Sequence, residues 1–299
     1  MAEPGMSEHL RQMLAGLREG ARALVPRSWR GGAVVPVVRL AGMIGFSSPL
    51  RPGLTLASVA RPLERAFAMR HAGAVALLIN SPGGSPVQSH LIHCRIRALA
   101  AQHGRPVIAF AEDVAASGGY MLACAADEII CDNSSVIGSI GVIGGSFGFA
   151  GLMEKLGIER RLYTSGERKA MLDPFLPEKP EDVERLKAVQ RDIHEDFIAL
   201  VKQSRGARLT GPENVLFSGE FWTGRKAVTL GIADGIGDIR TVLRQRFGED
   251  VRMPLIGPER SLLGRVRPGI ALQGQLAPGF ADDLISALEE RALWSRYGL

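Results

Sequence analysis

The chain has 299 residues, of which 46% are hydrophobic and 22% are charged, and its formal net charge at pH 7 is +5. These values are ordinary for a globular protein that buries a full core. Lysines and arginines are scattered among acidic residues, which argues against nucleic-acid binding. The three cysteines, Cys94, Cys124 and Cys131, form no CxxC pair, so the sequence predicts neither a disulfide framework nor a metal site and fits a reducing compartment.

The first 32 residues predict an N-terminal helix and linker. Apolar residues recur there at helical spacing, with arginines off the apolar stripe: Leu10, Met13, Leu14, Leu17, Ala21 and Leu24. Such a helix can pack on the body of the protein or on a partner subunit, or it can lie on an anionic membrane surface. Both alternatives stay open. No secretory signal is recognised, because a continuous apolar region with a cleavage site is missing.

Residues 33–250 predict the main domain, in which strands and helices alternate. The expected strands are Val34–Leu40, Gly73–Asn80, Arg105–Phe110, Glu128–Cys131 and Ile158–Tyr163. The expected helices are Ser58–Met69, residues 87–103, a helix through Met153–Leu156, and Pro180–Arg205. This alternation predicts crossover connections and therefore an α/β fold with a parallel sheet. Residues 251–299 predict a tail rich in Gly and Pro that ends in a short helix, Ala281–Leu293.

The uncharged stretch Asn133–Met153 is long enough to span a membrane. It contains six glycines and four serines, however, and lacks a dense apolar run. We therefore expect glycine-rich backbone that packs inside the protein.

A serine among small residues is the main candidate for chemistry. Asp113–Tyr120 (DVAASGGY) follows an apolar run that predicts a buried strand and precedes an uncharged predicted helix. A serine at such a turn can project its hydroxyl from the sheet edge, beside the free N–H groups of the helix start. The glycine pairs Gly83-Gly84 and Gly118-Gly119 both follow predicted strands, at the sheet edge where ligands gather. Ser117 is therefore the candidate nucleophile, and a capping serine in a glycine-rich turn is the alternative.

The base for such a serine is less clear from local sequence. Histidine is the usual base; His90 and His93 could face a cleft, but neither has an obvious orienting carboxylate, and His194 lies on a charged helix face where we expect it to be solvated. Lys169 follows a predicted strand and a Ser-Gly turn, a pattern that an exposed loop lysine shares. An ordinary lysine has a pKa of about 10.4, so a lysine base needs a pKa lowered to roughly 7–8, which burial beside Met171 and Leu172 with Arg168 near could bring about.

Five motifs occur in order along the chain: INSPGGS at Ile79–Ser85, AASGGYMLACAAD at Ala115–Asp127, GSIGVIG at Gly138–Gly144, SGERK at Ser165–Lys169 and FWTGRKAVTLGIADGIG at Phe221–Gly237. With these motifs the chain resembles the signal peptide peptidase A family of Ser-Lys proteases, short form, over residues 34–247. More distantly it is similar to Clp proteases and crotonases. The resemblance implies a Clp protease/crotonase-like α/β fold of repeated β-β-α units with a mainly parallel sheet, plus helical appendages at both ends.

The resemblance also implies a role for each matching residue. Ser117 is the expected nucleophile and Lys169 the expected general base of a serine endopeptidase that cleaves signal-peptide remnants or other apolar peptides. Ser139 is expected to orient the lysine amine, and the backbone N–H groups of Gly84 and Gly118 are expected to form the oxyanion hole. No cofactor is implied.

Family members assemble as rings or domes in which neighbouring protomers contribute the dyad. The resemblance therefore implies a homo-oligomer that is inactive as a monomer, with Ser134–Gly151 facing another subunit. Many relatives carry a transmembrane anchor, where this chain offers only the arginine-bearing stretch. We expect a cytoplasmic protein, with peripheral contact to the bacterial inner membrane as a further possibility.

Two other functions compete with the protease hypothesis. A crotonase-like acyl-CoA enzyme would use paired N–H groups for a thioester enolate, but it would leave Ser117 without a role. A catalytically silent membrane-associated scaffold would not need Ser117, Ser139 and Lys169 intact. No P-loop pattern is present, so any ATP-driven unfolding would require a partner.

Overall fold

A computed structural model describes residues 32–45, 53–166, 168–257 and 291–298. The strands found there are β1 (Val37–Ala41), β2 (Val75–Ser81), β3 (Val107–Ala116), β4 (Glu128–Cys131), β5 (Val136–Gly138), β6 (Phe221–Thr223) and β7 (Gly235–Ile236). The helices are α1 (Leu56–Phe67), α2 (Pro86–His103), α3 (Gly118–Ala123), α4 (Ala150–Lys155), α5 (Pro180–Arg205), α6 (Glu213–Leu216), α7 (Gly224–Thr229) and α8 (Ile239–Phe247).

The sheet is mainly parallel. Within the described residues its order is β1-β2-β3-β4-β7, and each of these neighbouring pairs is parallel. Strand β5 runs parallel to β3 and antiparallel to β6. Strands β2 and β3 are buried along most of their length, as is typical of central parallel strands covered on both faces. The predicted α/β class with a mainly parallel sheet is confirmed.

Strand β3 pairs with two strands in succession. Its residues 108–111 pair with β4, and its last three residues pair with β5, where Ala116 lies opposite Gly138. On its other side, Ala115 pairs with Ser81 at the end of β2. The end of β3 is therefore supported on both sides, and the next residue in the chain is Ser117.

Local sequence determines where the helices begin and end. Thr55 and Ser58 form a capping box at the start of α1, with each side chain accepting the other residue's N–H at 3.2 and 3.0 Å. Ser85 caps α2 by accepting the Gln88 N–H, and Gly104 ends that helix with a left-handed φ of 58°. The start of α2 is thereby fixed directly after the first glycine pair.

A buried ion pair anchors the long helix α5. The fully buried Arg205 side chain donates to the Asp234 carboxylate at 2.7 and 2.8 Å and to the Gly231 carbonyl at 3.0 and 2.9 Å. The Ile129 N–H of β4 donates to the same carboxylate at 2.7 Å. Burial would raise the pKa of Asp234, but these hydrogen bonds and the charges of Arg205 and Arg208 hold that pKa below its ordinary range. The pair therefore ties α5 to the sheet.

Two predicted segments have a different environment in the structure from the one expected. Ile158–Tyr163, predicted as a strand, is an exposed segment outside the sheet, because its apolar residues reach no strand edge in the same chain. The prediction that Asn133–Met153 packs inside the protein holds for Ser139 and Ile140, which are buried, but is wrong for residues 143–149, which are exposed.

The residues after α8 return to the sheet edge. The Val37 N–H donates to the Pro254 carbonyl at 2.9 Å, and the Ile256 N–H donates to the Val37 carbonyl at 2.8 Å. Residues 291–295 are helical. The predicted N-terminal helix and most of the predicted helix Ala281–Leu293 lie outside the described residues.

Candidate active site

Ser117 lies in a strained turn between β3 and α3. Its φ of 52° and ψ of −123° belong to a region that a non-glycine residue seldom adopts. Its N–H donates to the Gly138 carbonyl at 2.8 Å, and its carbonyl accepts the N–H groups of Tyr120 and Met121. The half-buried side chain makes no capping hydrogen bond to α3. The capping role considered from the sequence is therefore wrong, and the hydroxyl is left for another partner.

The two glycine pairs meet at the ends of β2 and β3. A Cβ atom added to Gly83, whose φ is 101°, would lie 2.8 Å from both the Gly118 nitrogen and the Ser117 Cβ. A Cβ atom on Gly118 would lie 2.3 Å from the Ser89 Oγ. Only glycine fits this close approach. Gly118 is also the first residue of α3, so its N–H has no acceptor within the helix.

Gly84 lies on the loop that faces this turn and is exposed. Ile44 fixes the loop, because its N–H donates to the Gly83 carbonyl at 2.8 Å and its carbonyl accepts the Ser85 N–H at 2.8 Å. A Cβ atom on Gly84 would lie 2.1 Å from the Ile44 oxygen. The segments that carry Gly84 and Gly118 thus lie at the same end of the sheet.

Ser139 follows β5 and lies in a second strained turn. It is buried, its φ is 53°, and its N–H donates to the Glu220 carbonyl at 2.6 Å. The next carbonyl, that of Ile140, accepts a hydrogen bond from the imidazole of His194 at 3.0 Å. His194 is therefore partly buried and bound to the backbone, which corrects the expectation that it is solvated. Because Gly138 accepts the Ser117 N–H, the two serine turns are adjacent.

Lys169 is not part of the hydrogen-bond network of the two serine turns. Its side chain is exposed, and its N–H donates to the Gly166 carbonyl at 3.2 Å. Among the hydrogen bonds of the described residues, none joins Lys169 to Ser117 or Ser139. The single chain thus brings together both serines and the glycine pairs, while the lysine remains outside their hydrogen-bond network.

Lys169 belongs to residues 141–179, which we call the arm. The arm exposes many large apolar side chains: Ile143, Phe147, Phe149, Leu152, Leu156, Ile158, Leu162, Tyr163 and Phe175. Phe147 and Tyr163 are 81% and 91% exposed. Within the arm, the rings of Phe149 and Phe175 stack at 5.5 Å. Exposed large apolar side chains in such number indicate an interaction site.

Two aromatic side chains next to Ser139 were missed by sequence reasoning. Tyr297 is only 8% exposed, and its ring meets that of Phe221 edge-on at a centroid distance of 5.1 Å. Its hydroxyl lies 3.4 Å from the Ser139 Oγ. The FWT motif was an available signal for Phe221, which pairs with Gly138 across β5 and β6. For Tyr297 the local pattern offered none.

The other candidate histidines lie on a different cavity. His90 and His93 line a cavity of about 980 Å³, together with Met121, Cys124 and residues of α5. Ser117 is not part of its lining. The Nδ1 atom of His93 is buried without a hydrogen-bond partner among the described residues. Burial, helped by the neighbouring His90, lowers the pKa of His93 to about 4. Among the hydrogen bonds of the described residues, none joins either histidine to Ser117.

The partly buried His93 predicts a loss of stability in acid. In the unfolded chain the imidazole has a pKa of about 6.5, whereas in the folded protein the pKa of His93 is about 4. The free energy of unfolding should therefore fall as the pH drops through this window, by about 2 kcal/mol between pH 7 and pH 5. Urea unfolding at both pH values measures this fall. His93→Gln should remove it, whereas His90→Gln, a change at an exposed histidine, should keep it. If the free energy of unfolding of His93→Gln fell between pH 7 and pH 5 as much as that of wild type, His93 would not be the cause of the fall.

The chain is similar in sequence to several known proteins. The family model described as Peptidase family S49 matches residues 100–249, half of the chain. The chloroplastic serine protease SPPA of Arabidopsis thaliana is 35% identical over 167 residues, which are 56% of this chain and 24% of that protein. A Brucella abortus protein named Na(+)/H(+) antiporter NhaA is 54% identical over 287 residues, which are 93% of this chain and 39% of that protein.

A solved structure is also similar to the chain. It is a membrane-bound stomatin-specific protease, 1510-N, in complex with a substrate peptide, with a TM-score of 0.45 and 16% identity over 86% of this chain and 98% of that one. The chain spans well under half of both the Arabidopsis and Brucella proteins, and their names describe those whole proteins. In the part of the chain that the structure describes, no helix has the length and apolarity needed to cross a membrane.

Proposed function

The chain belongs to peptidase family S49, and on that premise we propose that it is a serine endopeptidase with Ser117 as nucleophile and Lys169 as general base. The observation that carries the proposal is the Ser117 turn. There, Ser117 has a strained backbone conformation, its hydroxyl makes no capping bond, and two glycine pairs lie beside it. A sharp strand-to-helix turn presents the nucleophile in a similar way in other serine hydrolases. Family membership favours this chemistry over an acyl-CoA reaction or a silent scaffold.

The proposed reaction begins when neutral Lys169 takes the proton of Ser117 and the Oγ attacks a peptide carbonyl carbon. The N–H groups of Gly84 and Gly118 would stabilise the oxyanion, and loss of one such donor typically costs about 2.7–4 kcal/mol. Collapse of this intermediate breaks the C–N bond, and the amine leaves with the proton from Lys169. Water, deprotonated by the same lysine, then hydrolyses the acyl-enzyme and restores Ser117.

Peptides with apolar side chains are the proposed substrates, including signal-peptide remnants. The residues that lead into the two serine turns are apolar on the side that Tyr297 contacts, namely Val114, Ala116 and Val136. An apolar lining of this kind would favour an apolar side chain of the substrate because of the hydrophobic effect.

The base is proposed to come from a neighbouring copy of the chain. A general base has to reach the proton that it takes, and in the single chain Lys169 is exposed and makes no hydrogen bond to either serine. A second copy packed on the arm would cover its apolar surface and remove Lys169 from water. Removal of the Lys169 amine from water would favour the neutral lysine that the reaction requires.

A fluorophosphonate probe tests this proposal. Peptide mapping should find the adduct on Ser117, and Lys169→Ala should slow labelling by about 10³-fold or more because the nucleophile loses its base. Ser139→Ala should slow it less, since it only releases the lysine amine. Lys155→Ala, which removes an exposed lysine from the same arm, is the matched control and should label normally. An adduct elsewhere, or undiminished labelling in Lys169→Ala, would refute the proposal.

A further inference from the structure

His194 of helix α5 forms a hydrogen bond beside the turn that carries Ser139. Its Nε2 atom lies 3.0 Å from the carbonyl oxygen of Ile140. A carbonyl oxygen only accepts, so Nε2 carries the proton and donates it. Ile140 is fully buried, and no other donor among the described residues reaches its carbonyl. His194 therefore satisfies a buried acceptor that would be costly to leave without a partner.

The Ser139 turn needs such support because its backbone is strained. Ser139 has a left-handed φ of 53°, a conformation that a non-glycine residue keeps only where the surrounding structure holds it. Hydrogen bonds hold the turn on both sides. The Ser139 N–H donates to the Glu220 carbonyl at 2.6 Å, and the carbonyl of the following residue accepts from His194. Without the second bond the turn can relax, and the Ser139 hydroxyl would move with it.

Helix α5 also contacts the first residues of the arm. Gln190 lies one helical turn before His194 and on the same face of the helix. A Cβ atom added to Gly144 would lie 2.9 Å from the Gln190 Nε2 atom. The helix thus touches the chain where the arm leaves the Ser139 turn, and its far end is fixed by the buried ion pair with the sheet. Helix α5 can therefore keep this turn in one position relative to the sheet.

We propose that His194 is a positioning residue of the peptidase, which holds the Ser139 hydroxyl where it can orient the Lys169 amine. Among the described residues, His194 makes no hydrogen bond to either serine or to Lys169, so it acts through the backbone of the turn. This inference rests on the proposed function of Ser117, Ser139 and Lys169. It gives a role to a histidine in a peptidase whose proposed base is a lysine.

Three substitutions at His194 test the role of its hydrogen bond. His194→Leu removes the donor, His194→Gln keeps an N–H group near the position of Nε2, and His194→Asn carries the same amide on a shorter side chain. In fluorogenic peptide hydrolysis, the Leu and Asn variants should lower kcat about 10- to 100-fold with KM unchanged, because a misplacement of about 1 Å can cost about 10²-fold. His194→Gln should restore most of the activity. Glu195→Ala, an exposed change on the same helix, is the control and should leave kcat unchanged.

A double substitution tests whether His194 acts through Ser139. In Ser139→Ala protein the hydroxyl that His194 positions is absent, so adding His194→Leu should slow Ser117 labelling by less than about twofold, although each substitution alone slows it more. Residues that act as a unit show such non-additive effects. Effects that multiply in the double variant would overturn the inference. Wild-type kcat in His194→Leu, or equal losses in the Leu and Gln variants, would also overturn it.

Hydrogen exchange measures the turn without catalysis. In Ser117→Ala protein, adding His194→Leu should speed amide exchange in peptides that cover residues 138–141 at least about tenfold, while peptides from β2 keep their rate. His194→Asn, which keeps a polar side chain, gives a second reading of the same comparison. Unchanged exchange in the turn would show that His194 does not hold it.

The measurements separate the possible failures. If Ser117 is labelled in no variant, wild type included, the serine mechanism is refuted, and hydrogen exchange decides whether His194 holds the turn. If Ser117 is labelled equally fast in wild type and His194→Leu, the proposed function stands and the positioning role of His194 is refuted.

Discussion

Mixing Ser117→Ala protein with Lys169→Ala protein is expected to restore peptide hydrolysis that neither variant has alone. If each site takes its serine from one copy and its lysine from the next, random assembly of equal amounts leaves about one quarter of the sites with both groups. Each variant by itself should retain less than about 10⁻³ of wild-type activity. The measurement is hydrolysis of a fluorogenic peptide after the variants are dissociated together and reassembled.

The controls for this mixture use a chain that lacks both groups. Ser117→Ala/Lys169→Ala protein should rescue neither single variant, because it supplies no missing group. Differently tagged chains, purified in sequence through both tags, establish that mixed assemblies formed. Absence of activity in such assemblies would mean that both residues act within one chain, with the arm folding back on its own site.

Arg205→Ala is expected to lower the free energy of unfolding by about 3–5 kcal/mol at pH 7, the usual cost of removing one partner of a buried ion pair. The variant leaves the Asp234 carboxylate without its guanidinium and the Gly231 carbonyl without two donors. Urea unfolding monitored by circular dichroism measures the loss. Arg246→Ala is the matched control, because its pair with Glu128 is partly exposed and should contribute about 1 kcal/mol or less.

The same variant should show a distinctive pH dependence. The folded pKa of Asp234 is held below its unfolded value, so the stabilisation is complete above about pH 4 and is lost as the pH falls through the lower folded value. The difference between wild type and Arg205→Ala should therefore narrow below pH 4. The pair would not anchor α5 if Arg205→Ala lowered the free energy of unfolding by less than about 1 kcal/mol at pH 7. The same conclusion would follow if the difference from wild type did not change below pH 4.

Much of the framework was predictable because its signals are local. Glu128–Cys131 and Pro180–Arg205 were predicted with the bounds that the structure shows. In the first case an apolar run lies between polar residues. In the second, a proline starts the helix and Gly206 follows its end. The parallel topology then explains why both glycine pairs reach the same sheet edge.

The end of β3 was not predictable from local sequence. The expected strand stopped at Phe110, because Glu112 and Asp113 interrupt the apolar run. In the fold these carboxylates are satisfied by side chains from other strands: Arg39 donates to Glu112 at 3.1 Å and Asn80 donates to Asp113 at 2.7 Å. Charge that would break an isolated strand is thus accommodated by its neighbours, and the strand continues to Ala116.

The remaining parts of the site depend on long-range contacts. Tyr297 reaches Ser139 across 158 positions of sequence, a distance over which periodicity carries no information. The exposure of Lys169 depends on how the arm is covered. Family resemblance supplied roles for these positions that residue patterns alone left open.

The pairing of Ala116 with Gly138 gives the two serines a backbone-defined separation. Each serine is the next residue after a paired position, and each turns away from its strand with nearly the same φ, 52° and 53°. Adjacent strands lie about 4.8 Å apart, so one amine placed between the turns can hydrogen-bond to both hydroxyls. In the proposed mechanism, substituting either serine would alter the chemistry without altering this spacing. A one-residue shift in the register of β5 against β3 would instead keep both side chains but change their position relative to each other.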